Sequence, residues 1–219
     1  MKFLREESRI KRHIGFTGTP YNQDEYFADV IFDYSIRDAM NEKQIKKINP
    51  IIKVESDEDT DLTLSQRFEQ ILITHYKNKQ KYSYSEGGIP RLKPITVFIN
   101  STQSSAQKNK EDFTKALSSY LRRIDPECSN APESQVYQKA SEMVICVISK
   151  QTDDDYQEKL DAIEETDPAK VGGKVEFIFA VNKLSEGWDV DNVYQIVPME
   201  ERVFDSKLLI SQVLGRGLR

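Results

Sequence analysis

The chain has 219 residues, which is enough for one α/β domain with extensions or for one complete and one partial lobe. Ten Phe, ten Tyr and an apolar content of 38% supply a hydrophobic core and exclude a disordered protein. The net charge of −5 excludes a protein that packages DNA through an overall basic field, so any nucleic-acid contact must be local.

Targeting and metal-binding signals are missing from the sequence. The N-terminus is charged within its first five positions and lacks the apolar stretch of a signal peptide. The longest apolar runs, 143–148 and 177–181, are far shorter than the roughly 20 residues of a membrane-spanning helix. Two Cys and two His, all far apart, exclude a disulfide framework and argue against a zinc site. We expect a cytoplasmic protein with no metal ligands and no membrane partner.

The first part of the chain predicts two helices and three short strands, the strands covering residues 13–17, 30–34 and 51–54. Ser35 and Asp38 resemble a capping box and begin the first helix, which Pro50 ends. The acidic residues 55–61 are interpreted as a solvated loop, because nothing rigid spaces their carboxylates around a metal ion.

Thr63 and Gln66 form a second capping box, which begins a helix over residues 63–81. Residues at helical spacing predict that this helix faces the core, and we interpret His75 as a helix-face residue rather than a ligand. The face consists of Leu64, Phe68, Ile71, Leu72 and His75. A Gly-Gly-Ile-Pro loop is predicted to follow.

Strand and helix patterns alternate from residue 95 onward. Strands are predicted over residues 95–100, 143–149, 175–181 and 193–198. Helices are predicted over residues 104–123, 153–164 and 206–214, and a proline-punctuated loop follows the first of them. Continuous apolar strands that alternate with helices indicate a parallel sheet buried on both faces. The predicted fold class is therefore α/β, doubly wound, with a mainly parallel sheet and helices on both faces.

Three loops stand out, because ligands of an open parallel sheet bind at the carboxyl ends of its strands. They are STQSS at 101–105, NKLSEGWD at 182–189 and QVLGRGLR at 212–219. Taken singly, each has an ordinary explanation: a helix cap, a core position for Trp188, and a solvated face for the two arginines. Gly215 and Gly217 weaken the last explanation, since each glycine in a helical turn costs roughly 1 kcal/mol relative to alanine.

The combination of four motifs is more specific than its parts. TGTP at 17–20, a strand with a Ser/Thr loop at 95–102, SEGWD at 185–189 and QxxGRGxR at 212–219 occur in this order. The order resembles the second RecA-like lobe of a superfamily 2 helicase or translocase. The two C-terminal motifs are most similar to the motor subunit of type III restriction enzymes and related DEAD/DEAH-type helicases.

The resemblance covers nearly the whole chain and implies its domain organisation. Residues 1–26 would be a remnant of the first RecA-like lobe with a linker, and residues 27–219 the second lobe. The stretch 52–91 is long for this lobe and is a candidate insertion of unknown role.

The resemblance also implies roles for residues that contact nucleic acid or couple the two lobes. Ser101 and Thr102 match the motif that touches nucleic-acid phosphates, and Ser185 matches a further backbone contact. Four residues match the motif that couples ATP hydrolysis to strand movement, namely Thr17, Gly18, Thr19 and Pro20.

The nucleotide-facing residues are implied in the same way. Gly187 would let its loop approach the nucleotide, and Asp189 would accept a hydrogen bond from the ribose. Gln212, Arg216 and Arg219 match the final motif, whose arginines face the γ-phosphate of ATP held on the first lobe. A guanidinium supplies a planar fork for phosphoryl oxygens, and an arginine finger is worth roughly 10³–10⁵ in rate in GTPases.

A complete motor also needs a GxxxxGK[ST] loop and an acidic strand end for Mg²⁺. Neither occurs here in the required place, so we expect ATP with Mg²⁺ to be held mainly by a first lobe outside this sequence. The chain is then expected to be a segment of a longer protein and to be inactive alone. The implied partner is nucleic acid, with double-stranded DNA favoured, and a DNA methyltransferase subunit is a candidate second partner.

Two other functional classes stay open at this point. One is a non-catalytic α/β scaffold or interaction domain derived from a helicase lobe. The other is a small-molecule α/β enzyme that uses residues 101–105 as a phosphate-binding loop.

Overall fold

A computed structural model of the chain describes residues 21–22, 25–26, 34–44, 63–82, 85–86, 89–90, 92–147, 154–181 and 190–200. The chain forms two compact units, Met1–Asp33 and Tyr34–Arg219. In the smaller unit, β1 (Tyr21–Asn22) pairs with β2 (Glu25–Tyr26) in an antiparallel manner. Among the described residues, no helix is both long and apolar enough to cross a bilayer.

The larger unit alternates helices and strands. Its first elements are α1 (Ile36–Asn41), α2 (Leu64–Tyr82), β3 (Ser85–Glu86) and β4 (Ile89–Pro90). Then follow β5 (Ile95–Ile99), α3 (Gln103–Ile124), α4 (Pro126–Ser129), α5 (Glu133–Glu142), β6 (Val144–Val147), α6 (Asp154–Asp161), β7 (Phe177–Ala180) and β8 (Val193–Pro198).

Strands β5 to β8 form a parallel sheet in the order β6-β7-β5-β8. The chain passes from β5 through α3, α4 and α5 to β6, then through α6 to β7, and finally to β8 on the far side of β5. This arrangement confirms the predicted α/β class with a parallel sheet.

Alternate residues of each strand serve two separate cores, one on each face of the sheet. Val97 and Ile178 lie in the core that includes Leu160 of α6. Phe98 and Phe179 lie in the core formed with α2, α3 and α5, and their rings stack at a centroid distance of 4.2 Å. Because helices cover both faces, every strand residue between them must be apolar or fully hydrogen-bonded.

The predicted helix starts are confirmed by their caps. The Ser35 side chain accepts a hydrogen bond from the Asp38 amide at 3.1 Å. At α2, the Thr63 amide donates to Gln66 Oε1 at 2.8 Å and the Gln66 amide donates to Thr63 Oγ1 at 3.4 Å. Each cap satisfies amide groups that the first turn of a helix leaves without a partner.

Two predicted loops were wrong. In the Gly-Gly-Ile-Pro stretch, Ile89 and Pro90 form β4, and Ile89 is opposite Glu86 in a short antiparallel pair, while the two glycines lie outside the described residues. The proline-punctuated stretch contains α4 and α5, since Pro126 is the first residue of α4 and Pro132 is the N-cap of α5. Proline fits the first turn of a helix because the amide it lacks would have no partner there.

The first helix was predicted to end at Pro50, but it ends at Asn41, with Glu42 as its C-cap and Lys43 at a φ of 59°. The predicted elements at 13–17, 30–33, 51–54 and 206–214, and the acidic stretch 55–61, lie outside the described residues.

Asp125 forms hydrogen bonds with three helices, α3, α4 and α5. Its backbone amide donates to Leu121 O at the end of α3, and its side chain accepts from the Glu127 amide at the start of α4. Lys139 of α5 donates to the same carboxylate at 2.8 Å. The hydrogen bond from Lys139 lowers the pKa of Asp125, so the carboxylate is held in its charged form.

A buried lysine fixes the turn that precedes β7. Lys93 is 5% exposed and donates to the carbonyl oxygens of Gly172 at 2.6 Å and Gly173 at 3.2 Å. Gly172 has a φ of 75°, and a Cβ there would collide with Ala162 O, so only glycine fits. Burial lowers the pKa of Lys93 to about 8, against the opposing effect of Glu176.

Helix α2 is attached to the sheet by a buried polar network. His75 is 1% exposed, and its Nε2 donates to Glu176 Oε2 at 2.9 Å while its Nδ1 lies 2.9 Å from Thr96 Oγ1. Lys79 donates to the other carboxylate oxygen of Glu176, and the Thr96 hydroxyl donates to Gln195 Oε1 at 3.0 Å. The network connects α2 with β5, with β8 and with the residue that precedes β7, in addition to the apolar contacts of Phe68 and Leu72.

Glu176 is the centre of this network. Burial alone would raise the pKa of its carboxyl group, but the hydrogen bond from His75 and the positive charge of Lys79 outweigh burial and set that pKa at about 2. A carboxyl group with a lowered pKa in the folded state stabilises the fold above its ordinary pKa and loses that contribution as the pH falls.

We expect Glu176→Gln to lower the free energy of unfolding by about 2–3 kcal/mol at pH 7, because it leaves the buried His75 and the half-buried Lys79 facing a neutral side chain. The difference from wild type should shrink as the pH falls from about 4.5 towards about 2, where Glu176 becomes protonated in the folded state. Urea unfolding across this range measures it, with Glu111→Gln on the exposed surface of α3 as the control. A difference independent of pH would contradict the assigned charge.

Candidate functional site

The carboxyl ends of β5, β7 and β8 meet at one edge of the sheet. Parallel pairing continues one residue past the strands: the Asn100 amide donates to Ala180 O at 2.9 Å, and the Met199 amide donates to Ile99 O at 2.9 Å. The segments that leave β5 and β8 are therefore fixed beside each other. This is the edge at which an open parallel sheet binds its ligands.

Asn100 fixes the direction in which the chain leaves β5. Its side chain is buried, donates to Phe98 O at 3.4 Å and accepts from Asn109 of α3 at 2.9 Å. The second of these bonds connects the end of the strand to the second turn of the helix. As a result, Ser101 and Thr102 lie on a backbone that is held from both sides.

Thr102 is the N-cap of α3. Its Oγ1 accepts from the Ser105 amide at 3.1 Å, and Ser105 Oγ accepts from the Thr102 amide at 3.4 Å, which completes a capping box. Both side chains also face solvent in part. The sequence prediction placed the start of this helix correctly to within one residue.

Ser101 precedes the cap and is exposed. Its backbone amide donates to Glu200 Oε2 at 3.1 Å, so this amide already binds an anionic oxygen. The 22 residues of α3 direct the positive end of their dipole to the same place. Amide, hydroxyl and helix dipole together suit an oxygen of a phosphate or carboxylate.

The described cysteines are not candidates for nucleophiles. Burial raises the pKa of Cys146, which packs beside Ala106 and Val181, although the charge of Lys110 acts in the opposite direction. Burial and a hydrogen bond to Asp125 raise the pKa of Cys128. Both groups therefore stay thiols at neutral pH, which is the less reactive form.

A cavity of about 390 Å³ lies between α2 and α3, and neither Ser101 nor Thr102 lines it. Its apolar floor includes Phe68 and Leu72, and its rim includes Glu69 and Arg123, which form an ion pair at 2.7 Å. Charges that satisfy each other leave little for a ligand to recognise. Within the described ranges, no group of three or more His, Cys, Asp or Glu is placed to hold a metal ion.

Of the predicted site residues, the described part of the chain contains Ser101 and Thr102, which lie together at the carboxyl edge. The others lie outside the described residues, so their roles stay predictions. They are Thr17, Gly18, Thr19, Pro20, Ser185, Gly187, Asp189, Gln212, Arg216 and Arg219.

Sequence reasoning missed Asn100, Asn109 and Glu200 as parts of this edge. Asn100 was assigned only as the last residue of a strand, and Glu200 was given no role. A polar residue directly after an apolar strand was the available signal, but the pairing of β5 with β8 cannot be seen in the sequence.

Comparison with known proteins gives no match: no family model fits the sequence, and no curated protein or solved structure is significantly similar to it. The likeness to superfamily 2 motors therefore depends on the motifs in the sequence. The carboxyl edge is the place where geometry and motif can be compared directly.

We expect Thr102→Ala to lower the free energy of unfolding by about 1 kcal/mol, because the Ser105 amide loses its acceptor. Thr102→Asn should have an effect below about 0.5 kcal/mol, since asparagine is an equally good N-cap. Urea unfolding measures both, and Ser104→Ala in the same turn serves as the control. Equal losses for alanine and asparagine would rule out the cap.

Proposed function

We propose that the chain is the second RecA-like lobe of an ATP-dependent nucleic-acid motor of superfamily 2, of the kind found in the motor subunit of type III restriction enzymes. The observation that carries the proposal is the Ser101–Thr102 segment, at which an exposed amide beside a helix cap binds an anionic oxygen. In the order of the four motifs, this segment is the one that matches a phosphate contact.

The chemistry of this segment suits a nucleic-acid backbone. The Ser101 amide and the hydroxyls of Ser101 and Thr102 can each donate to a phosphate oxygen without reading a base. Such contacts are independent of sequence, which a translocating motor needs at every step. The net charge of −5 favours a narrow contact over a broad basic surface.

The nucleotide side of the proposal depends on the C-terminal motifs. Asp189 would hold the ribose and Gly187 would give room for the nucleotide, while Arg216 and Arg219 would reach the γ-phosphate of ATP on the first lobe. ATP and Mg²⁺ would be held mainly by that first lobe, outside this sequence.

In this arrangement, hydrolysis depends on closure of the two lobes. A guanidinium that arrives only on closure stabilises the charge of the transferring phosphoryl group. Opening after product release would then shift one nucleic-acid contact relative to the other. The proposal includes duplex DNA as partner, a DNA methyltransferase as candidate subunit and a cytoplasmic location.

We expect Arg216→Ala and Arg219→Ala in the full-length protein to lower ATP turnover by about 10³-fold while ATP binding changes little, because the triphosphate is held on the other lobe. DNA-stimulated ATPase assays and nucleotide-binding titrations measure the two effects. Arg37→Ala on the exposed surface of α1 is the control. Unchanged turnover in both variants would favour a scaffold that has lost the motor activity.

The phosphate contact can be separated from the helix cap by two substitutions at one position. Aspartate and asparagine both cap helices well, but only aspartate brings a negative charge against a phosphate. Thr102→Asp should therefore weaken binding of duplex DNA by about tenfold or more, and Thr102→Asn by less than about threefold. Equilibrium binding of the full-length protein measures this, and equal affinities for the two variants would contradict the contact.

A further inference from the structure

The Glu200 carboxylate occupies the amide that a nucleic-acid phosphate would use. We propose that Glu200 competes with nucleic acid for the Ser101 amide. Its carboxylate accepts a hydrogen bond from this amide in the free protein and must leave it when a phosphodiester binds. This inference rests on the proposed function, because it takes the ligand of Ser101 to be a nucleic-acid phosphate.

The position of Glu200 is set by the sheet and not by the loop alone. Pro198 is paired with Ile99, and the Met199 amide donates to Ile99 O at 2.9 Å. Because of this pairing, the residues that follow β5 and β8 lie next to each other, and Glu200 Oε2 is 3.1 Å from the Ser101 amide. The contact joins residues 99 positions apart in sequence.

Two anionic groups cannot share this amide. One N–H donates one strong hydrogen bond, and a carboxylate and a phosphate within contact distance repel each other. A strand that approaches Ser101 must therefore displace the side chain of Glu200. The contact at Ser101 is exposed, so its loss does not leave a buried amide without a hydrogen-bond partner.

The competition has a consequence for selectivity. A ligand that offers a single weak acceptor gains nothing by replacing a carboxylate that is already in place. A phosphodiester strand gains, since it also reaches the hydroxyls of Ser101 and Thr102 beside the amide. Glu200 thus lowers the affinity of the Ser101 amide for every anion. This favours a continuous strand over isolated anions, because only the strand makes the additional contacts.

The test compares Glu200→Ala and Glu200→Gln with Glu111→Ala in the full-length protein. Glu111 lies on the exposed surface of α3 and controls for the loss of one negative charge near the same helix. Equilibrium binding of duplex DNA at fixed salt gives affinity, and hydrogen exchange of the peptide that contains Ser101 reports whether its amide is bonded.

We expect Glu200→Ala to raise DNA affinity by about three- to tenfold, the size expected when one exposed charge-assisted competitor is removed. Without DNA, the Ser101 amide of this variant should exchange faster than in wild type, and addition of DNA should restore its protection. Glu200→Gln should lie between the two, and Glu111→Ala should stay within about twofold of wild type.

The outcomes separate the two proposals. If wild type binds DNA but Glu200→Ala and Glu111→Ala have equal affinities, the competitor role is wrong while the proposed function stands. If DNA fails to protect the Ser101 amide in Glu200→Ala, the phosphate contact at Ser101 is wrong as well, and both proposals lose their support. If wild type does not bind DNA at low salt, both are overturned. Inorganic phosphate, added in place of DNA, should leave exchange of the amide in wild type unchanged.

Discussion

The candidate site depends on the pairing of β5 with a parallel neighbour on each side. All five residues of β5 are buried, and its register places Ile99 beside Ala180 of β7 and Pro198 of β8. Three chain segments consequently leave the sheet at the same level. The loops themselves contain nothing that would bring Ser101 to Glu200, so the local chemistry of the edge follows from the hydrogen bonds of the sheet.

The polar groups at the two edges of the sheet differ in burial and in how fully they are hydrogen-bonded. At the amino edge, Glu176 is enclosed by His75 and Lys79, and its carboxylate has a partner for each oxygen. At the carboxyl edge, Ser101 and Thr102 face solvent, although the preceding Asn100 is buried. A satisfied buried network attaches a helix and leaves no group for a ligand, whereas exposed hydroxyls, and an amide whose hydrogen bond is exposed, can bind one.

Much of the fold could be predicted from the sequence, because its strands are short apolar runs and its helices begin at recognisable capping residues. β8 was predicted over its observed length, and α2 to within one residue at each end. The loop before β6 was wrong because α4 and α5 are short, begin at prolines and carry little periodicity. His75 was placed on the correct face, but its partner Glu176 is 101 residues away, and no local pattern reveals that pairing.

The junction at Asp125 has a mechanical consequence for the far end of α3. This helix is 22 residues long, so about 33 Å separates the Ser101–Thr102 segment from the carboxylate on which α4 and α5 converge. A stiff rod anchored at its base transmits a pull along its axis with little bending. A force on a ligand bound at the N-terminus of α3 would thus be transmitted along the helix to Asp125 and distributed over three helices, instead of acting only on the segment between β5 and α3.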